Sequence, residues 1–437
     1  MVFGRSAARE RVTAHGRQRP AWAGYLMVYG ARIASVVLGL VLTVASARLL
    51  GPQGRGEFAA ALAGVVVGVQ LLNLGLSASL LLLFSENRSQ IRRGLAGLWI
   101  LALIWLALLM LCGVVLSELV LTERFPFLRW WPLWSLWIPV QLITLYQAAA
   151  LTAMQDYTAI IVQAISGRVA MVILGLSALL VFDGDVKTFL GFLLLADMLM
   201  AAVGAGLVAR RAPQSPTGAP TPDFFRAALR LGLRAYPVLF LTYFVIRFDV
   251  LLLRGLRGAA ETGVYSIAAQ FIDLGLILPS TIAALIIPEI MKAPGSAEIV
   301  IGRARRVLLY AAGLSLVVLV FGSPAIRLVF GRPYEGAYVP LLILLPGFMA
   351  LSVQNVVMQH FNAQGYPLFV AGFWAMAAAL NLGLNLLLIP RFGMYAAAAT
   401  SSLSYLLVCG LALIRFRKET DIRWRSLVFG TSLGNAA

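Results

Sequence analysis

Six ionisable residues sit inside otherwise apolar runs. They are Arg32 in YGARIASVV, Arg168, Asp197, Arg247 and Asp249 in YFVIRFDVLLLR, and Asp273 in QFIDLGL. A charge at the centre of a membrane helix costs about 2.5–3.5 kcal/mol on insertion scales, so such residues face a bundle interior or a water-filled gap. A guanidinium grips phosphate oxygens in a two-pronged fork. Arg32 and Arg247 in one shared gap would therefore suit a diphosphate, with Asp249 and Asp273 as candidate counter-ions. Asp273 is also a candidate coupling site for a proton or sodium ion. The opposing reading is that Asp249 and Asp273 neutralise the two arginines and pin helices together, and both can hold at different stages of a cycle. Arg168 and Asp197 read as an ion pair within the first half of the chain.

These residues need helices to hold them. Of the 437 residues, 61% are hydrophobic and 12% charged, and the mean hydropathy is +0.89. A soluble chain is about half apolar and a quarter charged, so the excess is surface that faces lipid. Backbone in hydrocarbon must be helical or a closed barrel. The apolar runs are about 20 to 25 residues long, enough to cross a bilayer as helices. Barrel strands would be about 10 residues long and alternating, and these runs do not alternate. An all-α membrane protein of about twelve spans is predicted, near 22–47, 58–84, 95–121, 133–154, 159–182, 188–209, 235–254, 264–291, 307–330, 340–361, 367–390 and 394–415.

The spans fall into two pseudo-symmetric six-helix lobes, 22–209 and 235–415. A basic tail (1–21), a linker (210–234) and a C-terminal tail (416–437) flank them. The stretch RLLGPQGRGEF opens the second span, and LRGAAETGVYS opens the eighth. Setting Gly51 on Gly258 puts Leu49 on Leu256, Gly56 on Gly263 and Phe58 on Tyr265. A duplicated set of apolar helices is a mark of transporters. Arg32 and Arg247 lie in the opening span of each lobe.

The net charge is +17. In a soluble protein that would suggest nucleic acid; here the charge clusters in short loops, so nucleic acid is not an expected partner. With the N-terminus inside, 22 of the 35 Lys and Arg fall on the cytoplasmic side and nine outside, Arg48, Arg55 and Arg254 among the nine. That bias predicts both termini in the cytoplasm. Residues 222–234 read as a basic amphipathic helix lying on the membrane surface. Trp130, Trp131, Trp134 and Trp137 read as an interfacial belt, with a sugar-stacking platform as the second reading. Amides such as Gln141, Gln147, Asn381 and Asn385 read as glue between helices, a cavity-facing subset being suited to sugar hydroxyls. Two cysteines and two histidines offer no metal-ligand spacing. No phosphate-binding loop or soluble catalytic domain is present, so neither ATP-driven transport nor an enzyme is expected.

ARLLGPQGRGEF followed by LNLGLSASLLLL resembles the first-lobe opening of polysaccharide-biosynthesis membrane proteins. GVYSIAAQFIDLGLILPSTIAALIIPEI, PAIRLVFGRPYEGAYVPLLILLPGF and LNLGLNLLLIPRFGMYAAAATSSLSYLL resemble their second lobe. These are oligosaccharide-lipid flippases of the MATE-like (MOP) exporter superfamily, and the likeness covers about residues 22 to 415. It implies a central cavity, alternating access and a polyprenyl-diphosphate-linked sugar chain moved from the cytoplasmic to the outer leaflet of a bacterial inner membrane. It points to Arg32 and Arg247 as carriers of the cationic cavity. Membrane lipids, a glycan polymerase and glycosyltransferases are the implied partners. A lipid II flippase has a similar sequence but two further C-terminal helices. A cation-coupled multidrug exporter of the same fold and a non-transporting membrane scaffold are the other readings.

Overall fold

The computed structural model describes residues 21–118, 130–182, 184–213, 222–292, 297–365 and 367–420. Among them there is no strand. Twelve α-helices follow in order: α1 (Ala21–Asn73), α2 (Leu76–Glu86), α3 (Ile91–Glu118), α4 (Trp131–Ala153), α5 (Tyr157–Leu180), α6 (Val186–Arg211), α7 (Pro222–Arg257), α8 (Ala259–Gly275), α9 (Ile277–Lys292), α10 (Ala297–Phe330), α11 (Tyr338–Asn362) and α12 (Leu368–Thr420). Ten helical stretches among the described residues are long and apolar enough to cross a membrane. Two of these, in α1 and α12, are broken at Gly51 and Gly393. Each of the two therefore covers a pair of crossings, and the total is the expected twelve, six per lobe.

One kind of turn is used repeatedly. Gly51 (φ 65°, ψ −179°), Gly258 (φ 93°, ψ 175°) and Gly331 (φ 97°, ψ 169°) hold a backbone conformation that is essentially reserved for glycine. All three, with Gly393, join an odd crossing to the next even one, so they share one end of the bundle, the turn end. Proline follows Gly51 directly, at the first position of the resumed helix, where its fixed φ is favourable and its missing N–H costs nothing. A Cβ on Gly51 would meet open space, so Gly51→Ala carries a backbone penalty alone, about 1–3 kcal/mol. Thermal unfolding in detergent should show that loss. Gly191→Ala, also in open space but helical, should be neutral or slightly stabilising.

Two expectations change. Residues 222–234 do not form a separate surface helix; α7 runs unbroken from Pro222 to Arg257. Phe224 is buried and stacks on Phe84 of α2 at 5.9 Å, so this ring finds protein instead of lipid headgroups, while Leu229 and Leu233 remain exposed. The tryptophans also turn inward. Trp130, Trp134 and Trp137 are buried. Their ring N–H groups donate to Glu57, to the Ala61 carbonyl and to Asp197. Each indole N–H thus reaches an acceptor inside the first lobe, which holds the rings in the bundle and away from an interfacial belt. The amides behave as expected of helix glue: buried Asn385 donates to Asn381 at 2.9 Å and accepts from Thr400.

Candidate functional site

Between the lobes lies a cavity of about 820 Å³. Its first-lobe wall carries Trp137 and Gln141 of α4, Arg168 of α5 and Asp197 of α6. Its second-lobe wall carries Tyr243 and Arg247 of α7 and Gln270 and Asp273 of α8. Arg55 stands toward the turn end. Among the described residues the lining thus holds three arginines against two aspartates.

Arg247 faces this gap, as its place in the seventh span suggested. It donates to Asp273 at 2.8 Å, and both side chains remain about a third exposed. Asp249 is not the counter-ion. It is buried behind Arg247 and accepts from Tyr265 Oη (2.5 Å), Ser401 Oγ (3.0 Å) and the Val250 backbone N–H (2.8 Å). Residues two apart on a helix point to different sides, so Arg247 and Asp249 cannot share a face. Arg32 lies on the described backbone of α1, but its side chain is outside the described residues.

Arg168 and Asp197 share the cavity wall without forming the expected ion pair. Asp197 Oδ2 accepts from Trp137 Nε1 and Gln141 Nε2, both at 2.5 Å. Among the described residues Arg168 reaches only the sulfur of Met171, at 3.8 Å. The carboxylate is held by neighbours on α4, and the guanidinium stays exposed to the cavity.

Arg55 was assigned to an outside loop, and the structure puts it in the bundle. It is 4% exposed. It donates to Ser46 Oγ at 2.9 Å and, across the lobes, to Ser266 Oγ at 3.2 Å, and it lies over the ring of Phe58. The loop expected from Pro52, Gly54 and Gly56 is a single glycine, so Arg55 falls inside resumed helix. Arg254 moved inward for a similar reason, because α7 continues to Arg257.

The turn end of the cavity is sealed by the duplicated segment. A Cβ on Gly56 would stand 1.7 Å from the Ala259 carbonyl oxygen, and one on Gly263 would stand 1.9 Å from that of Pro52. Gly56 and Gly263 are equivalent positions in the repeat, and so are Pro52 and Ala259. The contact is therefore reciprocal across the pseudo-two-fold. Beside it, Arg254 of the second lobe pairs with Glu57 of the first at 2.6 Å, both nearly buried. Tyr334 Oη donates to the Ala47 carbonyl at 2.8 Å, and Arg48 Nε to that of Val329 at 2.8 Å. At the linker end the lobes also meet, Phe84 on Phe224 among the contacts. Tyr236 Oη donates to the Leu71 carbonyl at 3.1 Å, and Gly75 approaches the Gly232 carbonyl.

A sequence profile of polysaccharide biosynthesis proteins matches residues 21–293. The probable low-salt glycan biosynthesis flippase Agl15 of Haloferax volcanii is 24% identical over 231 residues, which are 49% of this chain and 49% of that protein. The match thus spans about half of that relative. The fold is that of a lipid II flippase MurJ in its inward closed conformation. The TM-score is 0.75 at 13% identity, over 90% of this chain and 87% of that one. An inward-facing multidrug resistance MATE family transporter of the MOP superfamily superposes with a TM-score of 0.73 at 12% identity. Those figures cover 89% of this chain and 94% of that one.

Proposed function

The chain belongs to the family of polysaccharide biosynthesis proteins, and on that footing we propose that it is a flippase for a polyprenyl-diphosphate-linked oligosaccharide, working by alternating access. The observation that carries the reading is the arginine-bearing cavity between two pseudo-symmetric lobes, with Arg247 on its second-lobe wall and Arg55 toward the turn end. A diphosphate entering that gap exchanges its water for guanidinium donors. The isoprenoid tail stays in lipid. Breaking the turn-end contacts and tightening those at the linker end would expose the head group on the other side. The charge bias supports a cytoplasmic linker end, and export of a glycan made inside then runs from the cytoplasmic to the outer leaflet of a plasma membrane. The Agl15 likeness supports a glycan-bearing lipid as substrate. Glycosyltransferases supply such a lipid and a polymerase or glycan transferase consumes it.

In this cycle Asp273 has two roles. It holds Arg247 while the cavity is empty and releases it when phosphate arrives. Asp249, behind the pair, is the candidate for a coupling proton or sodium ion. A cation-coupled drug exporter would instead have a lining dominated by carboxylates; here three arginines face two aspartates, and Asp273 is paired with Arg247. Arg247→Ala should lower transbilayer movement of a lipid-linked oligosaccharide in proteoliposomes by about tenfold or more, because it removes charge-assisted bonds worth about 1.5–3 kcal/mol. In cells making a surface glycan, lipid-linked sugar should accumulate facing the cytoplasm. Normal glycan in that variant, or altered drug resistance with glycan intact, would overturn the reading.

A further inference from the structure

The first-lobe wall contains a polar group with nothing to do. Asp197 has no exposed surface, yet it lines the cavity. Trp137 and Gln141 satisfy Oδ2, while Oδ1 is buried and has no hydrogen-bond partner among the described residues. An unmet buried acceptor is costly, and folded proteins leave few of them. Arg168 stands exposed in the same cavity with no carboxylate bonded to it among the described residues. One wall thus offers an unmet acceptor and free donors together.

We propose that Asp197 and Arg168, with Gln141, form a subsite for sugar hydroxyls next to the diphosphate. This rests on the flippase reading above. The mixed charge selects the ligand class. A phosphate on this wall would meet the Asp197 carboxylate, and a cation would meet the Arg168 guanidinium. A hydroxyl both donates and accepts, so it can give its hydrogen to Asp197 Oδ1 and take one from Arg168. Trp137 gives its ring N–H to Asp197 Oδ2, so it acts as the donor that fixes the carboxylate. The cavity volume, about 820 Å³, lies in the range of about 300–1,000 Å³ that encloses a drug-sized ligand. It has room for the diphosphate and the sugars beside it. A long glycan must extend outside, so the subsite reads the proximal sugar and not chain length.

The test uses the full chain in proteoliposomes and two probes. One is the lipid-linked oligosaccharide extracted from cells that carry this chain. The other is sugar-free polyprenyl diphosphate. Asp197→Asn keeps the shape and, with its carbonyl accepting from Trp137, puts an NH2 donor where the Oδ1 acceptor stood. It should raise KM for the glycan-bearing lipid about tenfold more than for the bare one, as expected for one hydrogen bond to a charged group. Arg168→Gln, at an exposed position, should show the same selectivity and carries the test if Asp197→Asn fails to fold. Equal losses on both probes, or no change on either, overturn the subsite. Arg247→Ala should impair both probes alike. If it does while the Asp197 and Arg168 variants lack selectivity, the flippase reading stands and the subsite falls. A wild-type chain that moves neither lipid defeats both.

Discussion

Gly56→Val should stop the lobes closing at the turn end and lower transport about 100-fold. The expected Cβ position is 1.7 Å from the Ala259 carbonyl oxygen and 2.8 Å from the Gly263 nitrogen. Both are backbone atoms, so no rotamer change relieves the overlap and the helices must separate. Overpacking a site that can adapt costs about 1–3 kcal/mol; here the clash is between α1 and α8 backbones, at the top of that range. About 1.4 kcal/mol is a factor of ten in population, which gives the hundredfold loss of the closed state. Gly263→Val should do the same, since its Cβ meets the Pro52 carbonyl oxygen at 1.9 Å. The two together should add little, because one separation accommodates both. The measurement is labelling by a membrane-impermeant thiol reagent of a Thr43→Cys variant, which places a thiol on the cavity wall. Cys112 and Cys409 would first be replaced. Labelling from the side opposite the linker should be much faster with Gly56→Val or Gly263→Val than in the parent. Gly410→Ala, in open space, should behave as the parent. If Gly56→Val transports normally and leaves Thr43→Cys protected, the crossing is not the seal.

The repeat marks these glycines in the sequence, because matched glycines in matched turns suggest two helices related by a pseudo-two-fold. It did not say that the copies touch. Periodicity revealed the crossings and the place of Arg247, since an arginine surrounded by Val, Ile and Phe must face something polar. It also contained the choice of Asp273 over Asp249, because residues 247 and 249 project from different sides of one helix. Arg55, Glu57 and Arg254 were lost for another reason. Pro52 and three glycines look like a loop, whereas the chain turns at Gly51 alone and resumes its helix at once. Loop-like composition thus hid three charges at the lobe interface. The tryptophans misled in the opposite way. Four near a span end look interfacial, but the acceptors that turn three of them inward, Glu57, Ala61 and Asp197, are distant in sequence. Asp197 itself could be identified as buried and charged, but its Trp137 and Gln141 partners required the packing of α4 on α6.

Those hidden charges carry the second large effect. Arg254→Ala should destabilise the chain by about 3–5 kcal/mol, because it leaves the Glu57 carboxylate in a desolvated interface without its cation. Glu57→Gln keeps an acceptor for Trp130 Nε1 yet removes the charge facing Arg254, so it should cost nearly as much. The informative variant is the pair Glu57→Met with Arg254→Met. Replacing a buried ion pair by packed apolar side chains is often neutral, or stabilising by about 1–4 kcal/mol. If the pair only glued the lobes, the double variant would be stable and fully active. A gate has a further requirement, because the contact must open in every cycle. On opening, Glu57 and Arg254 regain water, which offsets the lost attraction, whereas two exposed methionines gain nothing from water. The apolar pair should therefore match or exceed the parent in thermal unfolding and yet transport more slowly, while each single charge variant unfolds earlier. Full transport by the Met–Met variant would reduce Glu57–Arg254 to a structural bond. Slow transport at undiminished stability would mean that the lobes are joined there by an ion pair because it can be reopened.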